Sequence, residues 1–157
     1  MKAFSPQQAK DWAEGLCSRA EYSSGEIRER LIRKGILPLE ADKIVDYLIK
    51  NRFIDDERFA RAFVREKTEY ARWGKRKVAQ ALRLKRVDSC TIDDALAEID
   101  SERYMAGLTA LLAAKIRSLG LDPASLDYAT RIKLLRFAAA RGFEPTVASA
   151  ALSKLSF

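Results

Sequence analysis

The feature that most restricts the fold of this chain is a pair of amphipathic segments that recurs along it. When the segment 27–48 is shifted by 107 residues, Gly35 meets Gly142 and Pro38 meets Pro145, and apolar residues before and after them coincide as well. A shift of 51 residues superposes the apolar positions again, in the middle of the chain. Apolar residues recur at helical rather than alternating spacing throughout, so the pattern predicts a repeated helical unit without a sheet.

Each copy of the pair is preceded by one further amphipathic segment, which gives three helices per copy. Ser5, which precedes a proline, and Ser23, which lies three residues before a glutamate, are typical of helix starts. The sequence therefore predicts an all-α fold of three tandem three-helix units, at residues 1–52, 53–99 and 100–157. Because such small units contact mainly their neighbours, we expect an elongated, curved array.

The first helix of the middle unit is predicted to begin at the acids Asp55–Glu57. This acidic cluster fits helix capping and the helix dipole better than a metal site or acid–base chemistry. Phe59, Phe63 and Tyr70 recur at helical spacing, so we expect all three side chains to face the core. Gly74 is expected to end or kink this helix.

The stretch 71–87 contains seven basic residues and no acid, in a chain whose net charge is +7. Lys75, Arg76, Arg83 and Arg86 fall within an arc of about 100° on a helix that also has an apolar stripe. A solvated outer surface is one interpretation of this face, and a binding surface for an acidic partner is the other. The seven basic residues are Arg72, Lys75, Arg76, Lys77, Arg83, Lys85 and Arg86.

The composition argues against catalysis and against a membrane protein. The chain has no histidine and no glycine-rich phosphate loop, so no enzyme, cofactor or metal site is predicted. Cys17 and Cys90 lack metal-type spacing and are expected to be reduced residues in or near a core. The chain starts without an apolar signal core, and its longest apolar run, 104–114, is too short to span a bilayer. We therefore expect a cytoplasmic protein.

Three segments of the sequence resemble the RecX family of regulatory proteins. They are residues 23–35, the Ile-Asp-Asp-Glu-Arg-Phe-Ala segment 54–60, and the Trp-Gly-Lys-Arg-Lys-Val turn 73–78. The resemblance covers nearly the whole chain and is strongest from about Ser23 to Leu84. The chain departs from the family pattern at Lys85-Arg86, where that pattern has a basic residue followed by glycine.

The resemblance implies a non-catalytic modulator of the RecA recombinase. Family members bind the RecA–DNA filament, lie in its helical groove and suppress its ATPase and strand-exchange activities, and some also bind DNA. On this basis the seven basic residues of 71–87 are the main predicted contacts, with weak binding to DNA phosphates. Since nothing in the sequence demands a dimer, we expect a monomer. Secondary candidates are Arg28, Arg30, Arg33 and Lys34 in the first unit, and Arg131, Lys133 and Arg136 in the third.

Several alternatives stay open at the level of sequence. The basic residues of the first unit are interleaved with Glu26 and Glu29, and self-neutralising pairs on one helix explain them better than partner binding. Trp73 is suited to packing in the turn, or to stacking on a base or partner ring. The chain as a whole could be a DNA-binding module that contacts phosphates without a recombinase, or a helical scaffold for an unrelated partner.

Overall fold

The computed structural model describes residues 4–156, and within that range it consists of nine α-helices without a strand, which confirms the all-α prediction. A π-helical segment, Glu66–Tyr70, follows the fourth helix directly, and a 3-10 turn, Pro123–Ser125, precedes the eighth. The α-helices are α1 (Pro6–Arg19), α2 (Ser24–Arg33), α3 (Pro38–Lys50), α4 (Asp56–Arg65), α5 (Lys75–Leu84), α6 (Ser89–Ala97), α7 (Ser101–Ser118), α8 (Tyr128–Ala140) and α9 (Pro145–Leu155).

Packing divides the described residues into two compact units. Unit 1 comprises residues 4–61 and 82–93, and unit 2 comprises residues 62–81 and 94–156. The boundaries fall inside α4, α5 and α6, and the two ends of each of these helices belong to different units. The three-unit division predicted above follows the sequence repeat rather than these contacts, and it stays a prediction.

Unit 1 is built around the apolar faces of α1, α2 and α3. Ile27, Leu31 and Leu48 are fully buried at its centre, and Ile54 closes the core from the segment before α4. Because Ile27 and Leu31 lie one helical turn apart on α2, they present one continuous apolar face to α3. The recurring apolar positions seen in the sequence therefore form this core.

Unit 2 repeats this arrangement with α7, α8 and α9. Leu108, Leu112 and Ile116 line one face of α7 and are almost completely buried. Leu134 of α8 and Ala151 of α9 are fully buried in the same cluster. Small alanine side chains on α9 bring its backbone close to α7, which is the most extensive helix pairing in the unit.

Side chains cap the helix starts that the sequence predicts. The Ser5 hydroxyl accepts the Gln8 N–H at 3.1 Å, and the Ser23 hydroxyl accepts the Glu26 N–H at 3.1 Å. In both cases the side chain of the third helical residue returns a bond to the capping N–H, so both are capping boxes. Asp55 accepts the Arg58 N–H at 3.0 Å, so this acid caps α4 as predicted.

The turns that join the paired helices share a left-handed residue. Gly35 follows α2 with φ +94°, and Gly142 follows α8 with φ +95°. The equivalent position after α5 is Arg86, which has φ +64°. A side chain in this region costs about 1 kcal/mol relative to glycine, so the repeat keeps its backbone shape at Arg86 against the preference of the residue.

The prediction that Tyr70 faces the core is wrong. Phe59 is buried, but the π-helical segment Glu66–Tyr70 inserts one extra residue per turn, with the Ala71 N–H bonded to the Glu66 carbonyl at 3.2 Å. This insertion rotates the following residues away from the stripe on which Phe59 lies. The Tyr70 side chain is consequently 76% exposed.

Two helix boundaries differ from the sequence-based expectation. The helix before the basic stretch ends at Ala71 and Arg72, whose φ is +57°, so Gly74 neither ends nor kinks it. The basic helix α5 ends at Leu84, which places Arg86 in a turn rather than on the helical face assigned to it. The cysteine prediction holds for Cys17, which is half-buried, and is wrong for Cys90, which is exposed near the start of α6.

Candidate functional site

In unit 1, the end of the basic stretch lies against the first turns of α2. The Lys85 ammonium lies 3.6 Å from a Glu26 carboxylate oxygen, and the Arg86 guanidinium lies 3.8 Å from Glu29. The Ser23 hydroxyl also donates a short hydrogen bond to the Lys85 carbonyl. Both basic side chains are thus partly neutralised by acids of α2. The Arg86–Glu29 pair is solvent-exposed and contributes little to stability, whereas Lys85 and Glu26 are partly buried.

Gly25 allows this approach of the turn to α2. A β-carbon at position 25 would lie 2.2 Å from the Arg86 β-carbon and 2.7 Å from the Arg86 carbonyl oxygen. The Arg86 backbone is therefore held against α2, and its left-handed conformation directs a largely exposed guanidinium toward Glu29. Arg33 shares the same acid at 3.3 Å, so one carboxylate serves two arginines.

In unit 2, the beginning of the basic stretch lies on α7 and on the turn between α8 and α9. The Lys75 ammonium lies 5.1 Å from the centre of the Tyr104 ring. A β-carbon at Gly107 would lie 2.5 Å from Nη1 of Arg72, so the guanidinium packs on the bare backbone of α7. Because Gly107 has no side chain, it leaves room for Arg72, one of the predicted contact residues, to lie against α7.

Trp73 contacts basic side chains of its own unit. The Lys77 ammonium lies 4.3 Å from the centre of the indole ring and the Lys67 ammonium lies 4.9 Å from it. The ring itself is half-buried. Cation–π contacts of this kind stabilise the turn, which agrees with the turn-packing interpretation of Trp73.

The N-terminus of α5 has its backbone donors engaged by the rest of unit 2. The Gly74 N–H donates to the Arg141 carbonyl at 2.7 Å, and the Arg76 N–H donates to the Gly142 carbonyl at 3.0 Å. Between them, the Lys75 N–H donates to the Tyr104 hydroxyl at 2.9 Å. Free N–H groups at a helix start can bind a phosphate, but these three are already satisfied.

The Tyr104 hydroxyl connects three elements of unit 2. It accepts the Lys75 N–H and donates to a Glu144 carboxylate oxygen at 2.6 Å. Burial of the ring and the hydrogen bond to Glu144 raise the pKa of the Tyr104 phenol above its ordinary value. A neutral hydroxyl is required, because only the protonated phenol can donate to Glu144 while accepting from α5.

The seven predicted contact residues thus fall into three groups in the structure. Lys85 and Arg86 form ion pairs, while Lys75 and Lys77 lie over aromatic rings. The remaining three, Arg72, Arg76 and Arg83, are all exposed. No carboxylate of residues 4–156 lies within salt-bridge distance of any of them.

Most of the secondary candidates are engaged within their own unit. Arg28 pairs with Asp42 at 2.7 Å, and Arg131 donates to the Leu126 carbonyl at 3.5 Å. Arg33 pairs with Glu29, Arg30 lies over the Tyr22 ring, and Lys34 lies over Phe4 and Trp12. Lys133 and Arg136 are exposed on α8, and the described part of the chain places no carboxylate in salt-bridge range of either.

The sequence interpretation missed three exposed residues. Arg52 follows α3 with φ +61°, so each of the described non-glycine residues with positive φ is an arginine. Leu84 is 76% exposed at the end of α5, and Tyr70 is exposed by the π-helical segment. The basic residues on either side of Leu84 could have indicated that this leucine is exposed on a binding surface. Nothing in the sequence marks the π-helical segment that exposes Tyr70.

Two kinds of functional feature are absent from the part of the chain that the structure describes. No group of three or more His, Cys, Asp or Glu side chains in residues 4–156 is arranged to hold a metal ion. None of the helices described is both long enough and apolar enough to cross a bilayer.

Comparisons of the sequence with known proteins match this chain to one family of helical proteins. Family models described as the first and the second three-helix domain of RecX match residues 9–48 and 55–96. The regulatory protein RecX of Ralstonia nicotianae is 31% identical over 144 residues, which cover 92% of this chain and 86% of that protein. The regulatory protein RecX of Chlorobium limicola is 30% identical over 158 residues, which cover 99% and 94%.

Solved structures show the same fold. The crystal structure of RecX from Lactobacillus salivarius superposes with a TM-score of 0.87 at 17% identity and covers 96% of both chains. A second crystal structure of a regulatory protein RecX has a TM-score of 0.78 at 19% identity and covers 94% of this chain and 73% of that one. At these identities the structural likeness concerns the fold.

Proposed function

This chain belongs to the RecX family of regulatory proteins, and on that premise we propose that it modulates the RecA recombinase by binding the RecA–DNA filament. Binding in the helical groove of the filament inhibits its ATPase and its strand exchange in recombination and repair. The protein acts as a monomer in the cytoplasm and carries out no chemistry of its own.

The observation that carries this proposal is the acid-free stretch 71–87 with its unpaired guanidinium groups. Arg72, Arg76 and Arg83 are exposed and have no carboxylate in salt-bridge range among residues 4–156. An exposed guanidinium without an internal partner is suited to bidentate contact with a carboxylate or a phosphate of another molecule. Each compact unit contributes its own part of this stretch.

Direct DNA recognition is the alternative, and two observations weigh against it. The first is that the backbone donors of the α5 N-terminus are engaged by Arg141, Gly142 and Tyr104. The second is that α6, which follows the turn as a recognition helix would, exposes Asp93 and Asp94. These acids would repel phosphates, so we assign the stretch mainly to a protein surface, with weak phosphate contacts.

Among the secondary candidates, the proposal keeps Lys133 and Arg136 as additional contacts in unit 2. Arg28, Arg30, Arg33, Lys34 and Arg131 are engaged within their own unit, so each would have to give up an interaction to bind a partner. We therefore expect their substitution to affect binding less than substitution of the residues in 71–87.

A titration of RecA ATPase on single-stranded DNA tests the proposal. Adding the unaltered protein should inhibit hydrolysis, and the pair Arg76→Glu with Arg83→Glu should raise the concentration for half-inhibition at least about tenfold. The control pair Lys50→Glu with Lys154→Glu makes the same change in net charge at exposed positions outside the stretch and should inhibit normally. Undiminished inhibition by the Arg76/Arg83 variant would contradict the assignment of this surface, and absence of inhibition by the unaltered protein would contradict the function.

A further inference from the structure

Tyr70 is an exposed aromatic residue at the end of an irregular helical segment of unit 2. Its side chain is 76% exposed, and the π-helical segment Glu66–Tyr70 is what turns it away from the core. π-helical turns are less favourable than α-helical ones and occur often at functional sites. On a regular α-helix Tyr70 would lie on the same face as Phe63, seven residues before it, whereas here the ring is exposed.

The charges around Tyr70 favour an acidic partner. The neighbouring Glu69 is neutralised from two sides, by Arg65 at 3.5 Å and by Arg103 at 3.8 Å. Arg72 follows two residues later, in the left-handed conformation and without a carboxylate in range in the described chain. The acid next to Tyr70 in the chain is therefore already paired with two arginines, and a third arginine lies two residues after Tyr70.

The surroundings of Tyr70 fit a protein better than a nucleic acid. Single-stranded nucleic acids are bound by several successive rings together with free phosphate-binding donors. Here the other nearby ring, Trp73, is in contact with the ammonium groups of Lys67 and Lys77. The backbone donors at the start of α5 are also used within unit 2. A lone tyrosine among arginines is instead the composition of a protein-interface anchor.

We propose that Tyr70 anchors a protein-docking surface, inserting its ring into an apolar socket bordered by carboxylates on a subunit of the recombinase filament. This inference rests on the function proposed above and specifies which molecule of the filament unit 2 contacts. Arg65, Arg72 and Arg103 provide the surrounding positive charge, and Tyr70 provides the apolar contact.

The test measures the affinity of three variants for RecA filaments on single-stranded DNA and for the same DNA without RecA. Tyr70→Ala should raise the Kd for filaments at least about tenfold, as expected for an anchor residue. Tyr70→Phe keeps the ring and should stay within about threefold of the unaltered protein. The matched control Tyr128→Ala removes a tyrosine of unit 2 that is 79% exposed, outside the basic stretch, and should bind filaments normally.

The possible outcomes separate this inference from the function on which it rests. Filament binding by Tyr70→Ala that equals that of Tyr128→Ala would overturn the inference and leave the function standing. A parallel loss of naked-DNA binding by Tyr70→Ala would also overturn it, because the ring would then stack on bases. Absence of filament binding by the unaltered protein would overturn the function and the inference together. Equal melting temperatures of the variants are expected, since both tyrosines are exposed.

Discussion

The turn after α5 in unit 1 and the turn after α8 in unit 2 are equivalent in the repeat but are held in different ways. In unit 2, Gly142 takes the left-handed position, and the Arg141 and Gly142 carbonyls accept N–H groups from the start of α5. In unit 1, Arg86 takes that position, the Ser23 hydroxyl donates to the Lys85 carbonyl, and the two basic side chains of the turn lie beside Glu26 and Glu29.

The two copies of the repeat therefore differ in the residue at the left-handed position of the turn, which is glycine in unit 2 and arginine in unit 1. The turn at Gly142 is fixed by backbone hydrogen bonds and by close contact of Gly74 with Gly142, and its left-handed residue carries no side chain. The arginine turn keeps the same backbone conformation at a conformational cost of about 1 kcal/mol and gains an exposed guanidinium. A non-glycine residue held in a strained conformation is a reason to look for function at that position.

The largest expected effect comes from filling the glycine contact in unit 2. A β-carbon at Gly74 would lie 2.1 Å from the carbonyl carbon of Gly142, where only backbone atoms could move away. Gly74→Ala should therefore destabilise the protein by about 3 kcal/mol or more. That corresponds to a fall in Tm of about 6–12 °C, which calorimetry would detect.

Gly15→Ala is the control for this substitution. Gly15 lies within α1 and a β-carbon there would have no neighbour within 4 Å among the described atoms. Because alanine favours helix over glycine, this variant should be unchanged or stabilised by up to about 1 kcal/mol. Equal melting temperatures of the two variants would show that the Gly74–Gly142 contact does not hold unit 2 together.

The next effect concerns the buried hydroxyl that supports the glycine turn. Tyr104→Phe leaves the Lys75 N–H and the Glu144 carboxylate without their partner, which should cost about 2 kcal/mol. Tyr128→Phe, at an exposed position, should cost nothing measurable by urea denaturation. A Tyr104→Phe variant as stable as the unaltered protein would mean that this network is not stabilising.

The pH dependence gives a second test of Tyr104. Its pKa in the folded state is raised above the ordinary value of 10.0, mainly by burial. The stabilisation of the folded state by the protonated Tyr104 phenol is therefore fully present below pH 10.0. It is lost as the pH rises from there toward the pKa of the folded state. Unfolding free energies measured across that range should fall more steeply for the unaltered protein than for Tyr104→Phe, and parallel curves would contradict the assignment.

A smaller effect on stability is expected from Asp88, which follows the turn at Arg86, because its role differs from that of Glu144, which follows the turn at Gly142. Asp88 caps α6 by accepting the Thr91 N–H at 2.9 Å, whereas Glu144 gives its carboxylate to Tyr104 and makes no capping bond. Asp88→Ala should therefore cost about 1 kcal/mol.

The pH dependence tests the same cap. Hydrogen bonds from Thr91 lower the pKa of Asp88 below 3.8, so the stability that the Asp88 carboxylate contributes is present above that pH and is lost as the pH falls through the folded pKa. Equal stability of the variant at neutral pH would refute the capping role.

The smallest expected effect has the opposite sign. Arg86→Gly removes the left-handed strain and should stabilise the protein by about 0.5–1 kcal/mol, because the exposed ion pair with Glu29 contributes little. Arg86→Ala keeps the strain while removing the charge, so it should not gain stability. If arginine is present for binding, both variants should lose filament affinity alike. Normal filament binding by Arg86→Gly would show that the charge has no binding role.

The local parts of this fold could be predicted from the sequence because their causes are local. The Ser5 and Ser23 capping boxes and the glycine turns each depend on a few neighbouring residues, and the structure confirms them. The register shift before Tyr70 could not be predicted, since no residue type marks a π-helical segment. Gly74 was assigned a conformational role because its actual role, close contact with Gly142, depends on tertiary packing.

The candidate site could be predicted only in part for the same reason. An acid-free basic stretch is visible in the sequence, and it identifies Arg76 and Arg83 as exposed cations. The pairing of Lys85 with Glu26 and of Arg86 with Glu29 joins residues that are far apart in the chain. Local charge patterns therefore indicated a positive surface but not which of its side chains the protein neutralises internally.

The measurement that tests the central claim most directly compares binding to RecA filaments on single-stranded DNA with binding to the same DNA alone. If about four cations contacted only phosphates, affinity for naked DNA would fall roughly 100-fold between 50 and 200 mM salt. We predict tight filament binding at the higher salt concentration, together with feeble binding to naked DNA. Equal affinity for filament and naked DNA would contradict a surface that recognises the recombinase.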